Sequence, residues 1–411
     1  MKTPSLLKKL NKHITKGRSG DPKPPSFYPS DASAHVNGQT YGSCRRAQFL
    51  NYLNNVVRYD KVAERKYEDW YSICEVAQKV IPPKSPKTNW IFKAGDRHEA
   101  HLIDEFKDAG LFDSEQIQIY IPDYNVSGRI DLIAKDPETN LLTIIEVKSC
   151  YGPAAESIMG SDWARKNKLP GKPKENNLMQ ISLYQHWYAN KRGDEFTCGE
   201  LIYGERGNGD TISFEVSVDV ESTSIAYRQI EPYYSDWIFT PYSVTDILEN
   251  YKWQQENLDN RLIPSRDFNL IYTDEQMLLY SEEAYDVVVD GSKEAISVSK
   301  FISSANGETG RKFTLKNKKG VEASLTKASA EQFVKHWDRK INGGRSVQKP
   351  EEGSKKCSWC DYKRFCYDFQ NNPIEWKVGE SVIAPIVIGE VGEPVLIEDL
   401  ETLGLNQEFL E

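Results

Sequence analysis

An α/β fold with a mixed central sheet is what this 411-residue sequence predicts, on three observations. Apolar runs with strand character recur at 116–121, 128–135, 141–148, 200–205 and 211–218; a helical pattern at 177–190 interrupts them; and further helical patterns flank the block on both sides. Strands with an interposed helix, framed by helices, bury both sheet faces only when helices cover them. With 39% hydrophobic and 27% charged residues, the composition is that of a globular protein with one large domain or two smaller ones.

Taken in order, residues 1–38 are polar, basic and rich in Pro, Ser and Gly, which predicts a flexible arm. Residues 41–59 read as a helix, with Ser43 as a cap ahead of Phe49, Leu50 and Leu53. Residues 90–109 read as another, striped by Phe92, Leu102, Ile103 and Phe106 and stopped at Gly110. The strand block follows, with a basic Gly/Pro loop at 161–175, and helical patterns run from 220 to 260. Residues 265–344 have a character of their own, including a hairpin over 311–325 that turns at Asn317-Lys318-Lys319-Gly320. The expected organisation is an arm (1–38), a core (39–264), an α+β insertion (265–349), a cysteine-rich segment (350–372) and an acidic tail (373–411). The sequence has no repeat, and no Gly-rich loop followed by Lys-Ser/Thr, so no NTPase motor is expected.

Apolar runs stop well short of the ~18 residues of a membrane helix, and the N-terminus lacks the apolar block of a signal peptide. A cytoplasmic protein without membrane partners is the expectation. The net charge of −9 is unevenly spread: residues 375–411 carry nine acids and one lysine, whereas 293–349 hold thirteen Lys/Arg against five Asp/Glu. A neutral body with basic sectors is compatible with a nucleic-acid partner.

The sharpest chemical signal is Gly128-Arg129-Ile130-Asp131 followed by Ile145-Glu146-Val147-Lys148, joined by a turn at 136–140. If Asp136 pairs with Leu141, antiparallel register sets Asp131 opposite Glu146, and Lys148 projects to the same face. Two facing carboxylates suit Mg²⁺ or Mn²⁺, and a neighbouring ammonium can orient a water or stabilise charge on a phosphodiester. The same spacing also arises in a solvated salt-bridge cluster. Here the flanking Ile130, Leu132, Ile133, Ile144, Ile145 and Val147 predict burial, where charges need partners or a metal.

These residues resemble the RecB-like branch of the PD-(D/E)XK nucleases, and two more motifs follow in that branch's order. Gly95-Asp96-Arg97-His98-Glu99 is similar to its histidine motif, implying that His98 is a metal ligand; His101 is a nearby competitor. Gln180-Ile181-Ser182-Leu183-Tyr184 is similar to its Gln-x3-Tyr element, implying that Gln180 and Tyr184 position substrate. The resemblance, covering 40–260 and 350–370, implies a restriction-endonuclease-like core and a Mg²⁺- or Mn²⁺-dependent deoxyribonuclease. Cleavage would be exonucleolytic on single-stranded or frayed DNA, in recombination, repair or processing. Catalysis would fall to Asp131, Glu146, Lys148, Gln180 and Tyr184, with metal on His98, Asp131 and Glu146.

Seven cysteines are an odd set for a disulfide scaffold, and three of them cluster as Cys357-x2-Cys360-x5-Cys366. A fourth thiolate must come from elsewhere, and Cys44 is the candidate. The arrangement resembles CRISPR-associated RecB-like exonucleases and AddB-type nuclease domains, where a lone upstream cysteine and a downstream triad hold a [4Fe–4S] cluster that staples the chain ends. Zinc is the alternative, although zinc sites usually show two Cys-x2-Cys pairs. Cys74, Cys150 and Cys198 read as ordinary buried thiols.

Arg45, Arg46, the 165–174 loop and the hairpin lysines Lys316, Lys318 and Lys319 are candidate phosphate contacts. Tyr184, Trp187 and Tyr188 are candidates for stacking on single-stranded DNA. A helicase, recombinase or CRISPR-adaptation protein is the partner that analogy implies. The rival readings are a non-catalytic DNA-end-binding subunit serving a partner enzyme, and a zinc-stapled interaction module.

Overall fold

The computed structural model describes residues 25–60, 86–192, 196–270, 272, 280, 282–289, 292–305, 308–341, 356–357, 360–362, 365–366 and 374–375. They fall into two compact units, one within Met1–Cys74 and Pro83–Pro264, the other within Glu75–Pro82 and Ser265–Glu411.

The first unit is α/β. After a short hairpin, β1 (Ser33–Val36) and β2 (Gln39–Gly42), come helices α1 (Arg45–Asp60) and α2 (Pro86–Asp108). The main sheet then runs β3 (Phe112–Ile121), β4 (Val126–Lys135), β5 (Leu142–Cys150), β6 (Phe196–Glu205), β7 (Thr211–Val218), β8 (Ser224–Glu231) and β9 (Ile238–Ser243), adjacent in that order. Every neighbouring pair is antiparallel except β5 and β6. A parallel pair needs a crossover, and here it contains α3 (Pro153–Met159), α4 (Asp162–Lys166) and α5 (Glu175–Arg192). Helix α6 (Val244–Asp259) closes the unit behind a capping box in which Ser243 and Asp246 satisfy each other's backbone N–H groups.

Each face of the sheet has its own cover. Ile103 of α2 packs with Leu132, Ala134, Ile145 and Val147, joined by Leu102 and Phe106. Ile144 alternates to the opposite face, and its register partner Gly199 lies under α5. A Cβ at Gly199 would fall 2.2 Å from Gln185 Nε2 and 2.9 Å from Ile181 Cδ1, so the helix sits too close for any side chain there.

Several boundaries differ from the sequence reading. Residues 224–243, read there as helical, form β8 and β9; Pro232 and Pro241 each lack the N–H that a helix interior needs, and Ile225, Ala226 and Tyr227 are buried against the sheet. Residues 25–38, assigned to the flexible arm, belong to the fold: Phe27 bridges to Val126, and Phe27, Ala32 and Ala34 are buried. Helix α1 starts at Arg45 rather than at 41, because Tyr41 and Gly42 are spent in β2 and the first helical bond runs from Gln48 N–H to Cys44 O at 2.9 Å. Gly110 does end α2, in the left-handed conformation with φ of +70°. Residues 1–24, and 376–411 of the acidic tail, lie outside the described residues, as does Cys74.

The second unit contains a four-stranded antiparallel sheet, ordered β11-β10-β12-β13, from β10 (Ala284–Val289), β11 (Ser292–Ser297), β12 (Thr309–Asn317) and β13 (Glu322–Lys327). Helices α7 (Val298–Ala305) and α8 (Ala330–Ile341) contribute Phe301, Phe333 and Val334 to a core with Tyr285, Val287, Phe313, Leu315 and Leu325. The β12–β13 hairpin turns at the expected Asn317–Gly320. Asn317 Oδ1 accepts from Lys319 N–H at 3.0 Å and Val321 N–H at 2.9 Å, and Gly320 supplies a φ of +76°. Among the described residues, no helix is long and apolar enough to cross a membrane.

Candidate active site

The β4–β5 hairpin has the register that its turn dictates. Asp136 N–H donates to Leu141 O at 3.0 Å, and the pairs climb from Lys135↔Leu142 to Leu132↔Ile145. Asp131 and Glu146 come next, and there the ladder stops. Asp131 Oδ2 instead accepts the Val147 backbone N–H at 3.0 Å, so a side chain takes the place of a backbone rung.

Glu146 is fully buried, and Lys148, two residues along the same face, donates to its Oε1. Its other oxygen, Oε2, is buried without a hydrogen-bond partner. Burial, then the neighbouring Glu146 charge, holds the Asp131 carboxyl well above the usual carboxylate range, against the pull of Lys148. Burial also raises Glu146, with Lys148 opposing it. Burial alone would lower Lys148, but Glu146 and Asp131 outweigh it and its ammonium is stabilised. A buried carboxylate pair that one lysine cannot neutralise is deficient in positive charge.

Gln180 and Tyr184, one turn apart on α5, are both buried, and Gln180 Nε2 donates to Tyr184 Oη at 2.9 Å. Burial pushes the Tyr184 phenol upward, and the Glu146 and Asp131 charges add to that, which places it in the field of the pair. The tyrosine ring reaches strand β4 because residue 128 is glycine: a Cβ there would lie 2.9 Å from Tyr184 Cε1 and 3.0 Å from Pro29 Cγ. Gly128→Ala is therefore expected to destabilise the first unit by about 1–3 kcal/mol, as overpacking does. Urea titration checks this, and an unshifted midpoint would mean that the ring yields freely.

His98, the metal ligand that the sequence resemblance implies, has its Nε2 buried without a hydrogen-bond partner. Its ring lies against Gly204, where an added Cβ would be 2.1 Å from His98 Nε2. Gly204 pairs with Ser149, on the strand face opposite Glu146 and Lys148. Burial, then the neighbouring His101 and Arg206 charges, lower the His98 imidazole below its ordinary value. The next residue, Glu99, instead acts on Asp131, Glu146 and Lys148 alike. Glu99 is not singled out by the sequence pattern, although it directly follows His98 in the same motif. Glu99 also lines a cleft of about 290 Å³ with Asp96, Gln116 and Arg129.

Of the candidate phosphate contacts, Arg46 is corrected: it is fully buried and its Nε donates to Pro264 O at 2.6 Å, so it braces the fold. Arg45 is half-buried, stacked over the Trp253 ring at 4.4 Å. Tyr188 is buried, and Trp187 Nε1 donates to Tyr120 O at 3.1 Å. In the 165–174 loop Arg165 is tied to Asp162 and Asp210, while Lys166, Lys168, Lys172 and Lys174 are exposed alongside Trp163. In the second unit Lys316 pairs with Glu322 at 3.3 Å, and Lys318 and Lys319 are exposed at the turn.

The sulfurs fall in separate units. Cys44 caps α1 in the first, half-buried. In the second, Cys360 N–H donates to Cys357 O at 3.2 Å, and Tyr362 N–H donates to Cys360 Sγ at 3.4 Å. Burial, then the proximity of Cys366 and Cys360, pushes the Cys357 thiol up to about 12. A buried thiol close to two others suits a cation that would take its proton. Cys150 is buried and Cys198 half-buried, as ordinary thiols. Among the described residues, no three His, Cys, Asp or Glu side chains are gathered closely enough to hold a metal ion as they stand.

No family model and no curated protein sequence matches the chain.

Proposed function

We propose that this chain is a divalent-metal-dependent DNA nuclease with a restriction-endonuclease-like core, exonucleolytic on single-stranded or frayed ends. One observation carries the reading. Asp131 and Glu146 lie close together in a buried hairpin with Lys148 donating to Glu146 Oε1, and Glu146 Oε2 is buried without a hydrogen-bond donor. The donor set fits Mg²⁺ or Mn²⁺, which bind carboxylate oxygen, and Asp131 and Glu146 would hold the ion. When bound, the ion lowers the pKa of a water and offsets phosphate charge.

The chain's own groups supply the rest. The Lys148 ammonium, kept charged by the pair, stabilises negative charge building on the scissile phosphate. Tyr184, kept protonated by its surroundings, offers a hydroxyl to a phosphate oxygen, and Gln180 fixes its direction. The exposed Lys166, Lys168, Lys172 and Lys174, with Trp163 among them, offer backbone neutralisation and a stacking surface, which supports DNA as the substrate. The cysteine motif supports a [4Fe–4S] cluster on Cys357, Cys360 and Cys366, with Cys44 as the fourth thiolate.

One anaerobic preparation tests both halves of the reading. It is expected to be brown, absorbing broadly near ~400 nm. With Mn²⁺ or Mg²⁺ it should shorten end-labelled single-stranded DNA, and EDTA should stop it. DNA binding without cleavage under either metal would favour the non-catalytic end-binding reading, and a colourless zinc protein would remove the iron–sulfur assignment.

A further inference from the structure

Two strongly exposed aromatic rings stand together at the β9 edge of the seven-stranded sheet. Tyr234 and Phe239 are 73% and 72% exposed, with Trp237 between them at 38%. Phe239 pairs with Ala226 on β8, and Arg228, two residues on, faces the same side of the sheet. The Arg228 guanidinium lies 4.6 Å from the centroid of the Trp237 ring and 5.5 Å from that of Tyr234. Its Nε donates to Glu215 Oε2 at 2.6 Å. The rings are thus backed by a cation that a carboxylate holds in place, while Tyr234 and Phe239 turn to solvent. Apolar surface grouped in this way marks a contact.

A basic segment is fastened beside them. Tyr233 Oη donates to Leu169 O at 2.5 Å, and Gly171 N–H donates to Gln229 Oε1 at 2.8 Å, so residues 169–171 are tied to β8 and to the loop after it. Lys174 N–H donates to Tyr203 Oη at 3.1 Å, and Tyr203 is the register partner of Lys148. The segment therefore runs from beside Lys148 to the aromatic loop, with Lys166, Lys168, Lys172 and Lys174 exposed along it. Charge divides the two sides. Residues 166–174 include those four lysines and no acid, whereas residues 231–239 include Glu231 and Asp236 and no base. Phosphate is drawn to the first side and repelled by the second, but an unpaired base can stack on the rings of the second.

We propose that these two sides form a track for single-stranded DNA leading to Lys148, with phosphates on Lys168 and Lys172 and bases stacked on Tyr234 and Phe239. This rests on the nuclease reading given above and adds to it the residues that select single strands. A duplex offers its phosphates to the lysines but has no unpaired base to lay on a ring. The aromatic side therefore discriminates, and the basic side does not.

The test is binding of a labelled oligothymidylate of about 20 nucleotides, and of a blunt duplex of the same length, to the full chain over a range of salt. EDTA throughout keeps cleavage out of the measurement. Tyr234→Ala with Phe239→Ala is expected to weaken oligothymidylate binding about tenfold, with its salt slope and the duplex affinity unchanged. Lys168→Ala with Lys172→Ala should weaken both ligands and lower the single-strand salt slope by about 1.4. Tyr234→Trp with Phe239→Trp keeps flat rings in place and should bind the single strand at least as well as wild type, which separates stacking from misfolding of the alanine variant. Wild-type affinity for the single strand in the alanine variant overturns the track and leaves the rings as a protein-docking surface. An equal loss for the duplex overturns their selectivity, and a tryptophan variant as weak as the alanine one overturns stacking. In each of these cases the nuclease reading stands. If wild type binds neither ligand, the DNA reading and this inference fall together.

Discussion

Lys148→Ala is expected to lower the cleavage rate by roughly 10²–10³ while DNA affinity changes little, as removal of a group that meets charge mainly in the transition state does. The geometry gives the reason. Lys148 donates to Glu146 Oε1, the one oxygen of that buried carboxylate with a partner, and its ammonium is held charged by Glu146 and then Asp131 against the effect of burial. Alanine leaves Glu146 buried without a cation beside it, so the carboxyl should take up a proton more readily and the affinity for Mn²⁺ should fall as well. Lys148→Arg separates the two effects. It keeps a charge beside Glu146 but replaces a compact ammonium with a planar fork, so metal affinity should recover further than cleavage. Single-turnover rates and Mn²⁺ titrations on the three proteins check this. Cleavage at wild-type rate by Lys148→Ala would remove the catalytic assignment altogether.

What the sequence made legible was local. The five-residue turn at 136–140 fixes one register, and that register fixes which side chains of 131, 146 and 148 meet; nothing distant is needed. The Gln180–Tyr184 pair was legible for the same reason, since one helical turn separates the two. Legibility ended where a side chain's place depended on distant packing. His98 and Glu99 are adjacent on α2, and successive helical residues point about 100° apart. Where the His98 ring comes to rest is decided by how α2 meets β6, where the absence of a side chain at Gly204 admits it. Gln116 was less legible still, because neither its left-handed backbone in mid-strand nor its bond to Glu99 on α2 leaves a local mark in sequence. Arg46 reads as a phosphate contact because it is basic, yet it donates to a carbonyl 218 residues away. For β8 and β9 the sequence does carry a signal: Pro232 and Pro241 break any helix through 224–243.

Asp131→Asn is expected to abolish cleavage and, in metal-free protein near neutral pH, to raise the melting temperature. Burial, then Glu146, holds the Asp131 carboxyl well above its unfolded value, so between those two values the folded chain keeps a proton that the unfolded chain has released. Stability then falls as pH rises above the unfolded pKa of ~4, and the loss is complete once pH passes the folded value. Asparagine does not titrate, and its carbonyl can still accept the Val147 N–H that Asp131 Oδ2 takes at 3.0 Å. The variant should therefore melt higher than wild type at about pH 7–8, by ~2–4 °C for each kcal/mol recovered, with the gap closing as pH falls toward 4. Saturating Mn²⁺ should reverse the order. An ion bound at a hundred times its dissociation constant adds about 2.7 kcal/mol to the wild type and much less to a variant that lacks a ligand. The crossing of the two melting temperatures on adding metal is the decisive reading, because a carboxylate pair that served only packing or a salt bridge would give no metal-dependent reversal. If the variant melts below wild type at every pH, with or without Mn²⁺, Asp131 is a structural acceptor for Val147 and the buried pair has no need of a cation.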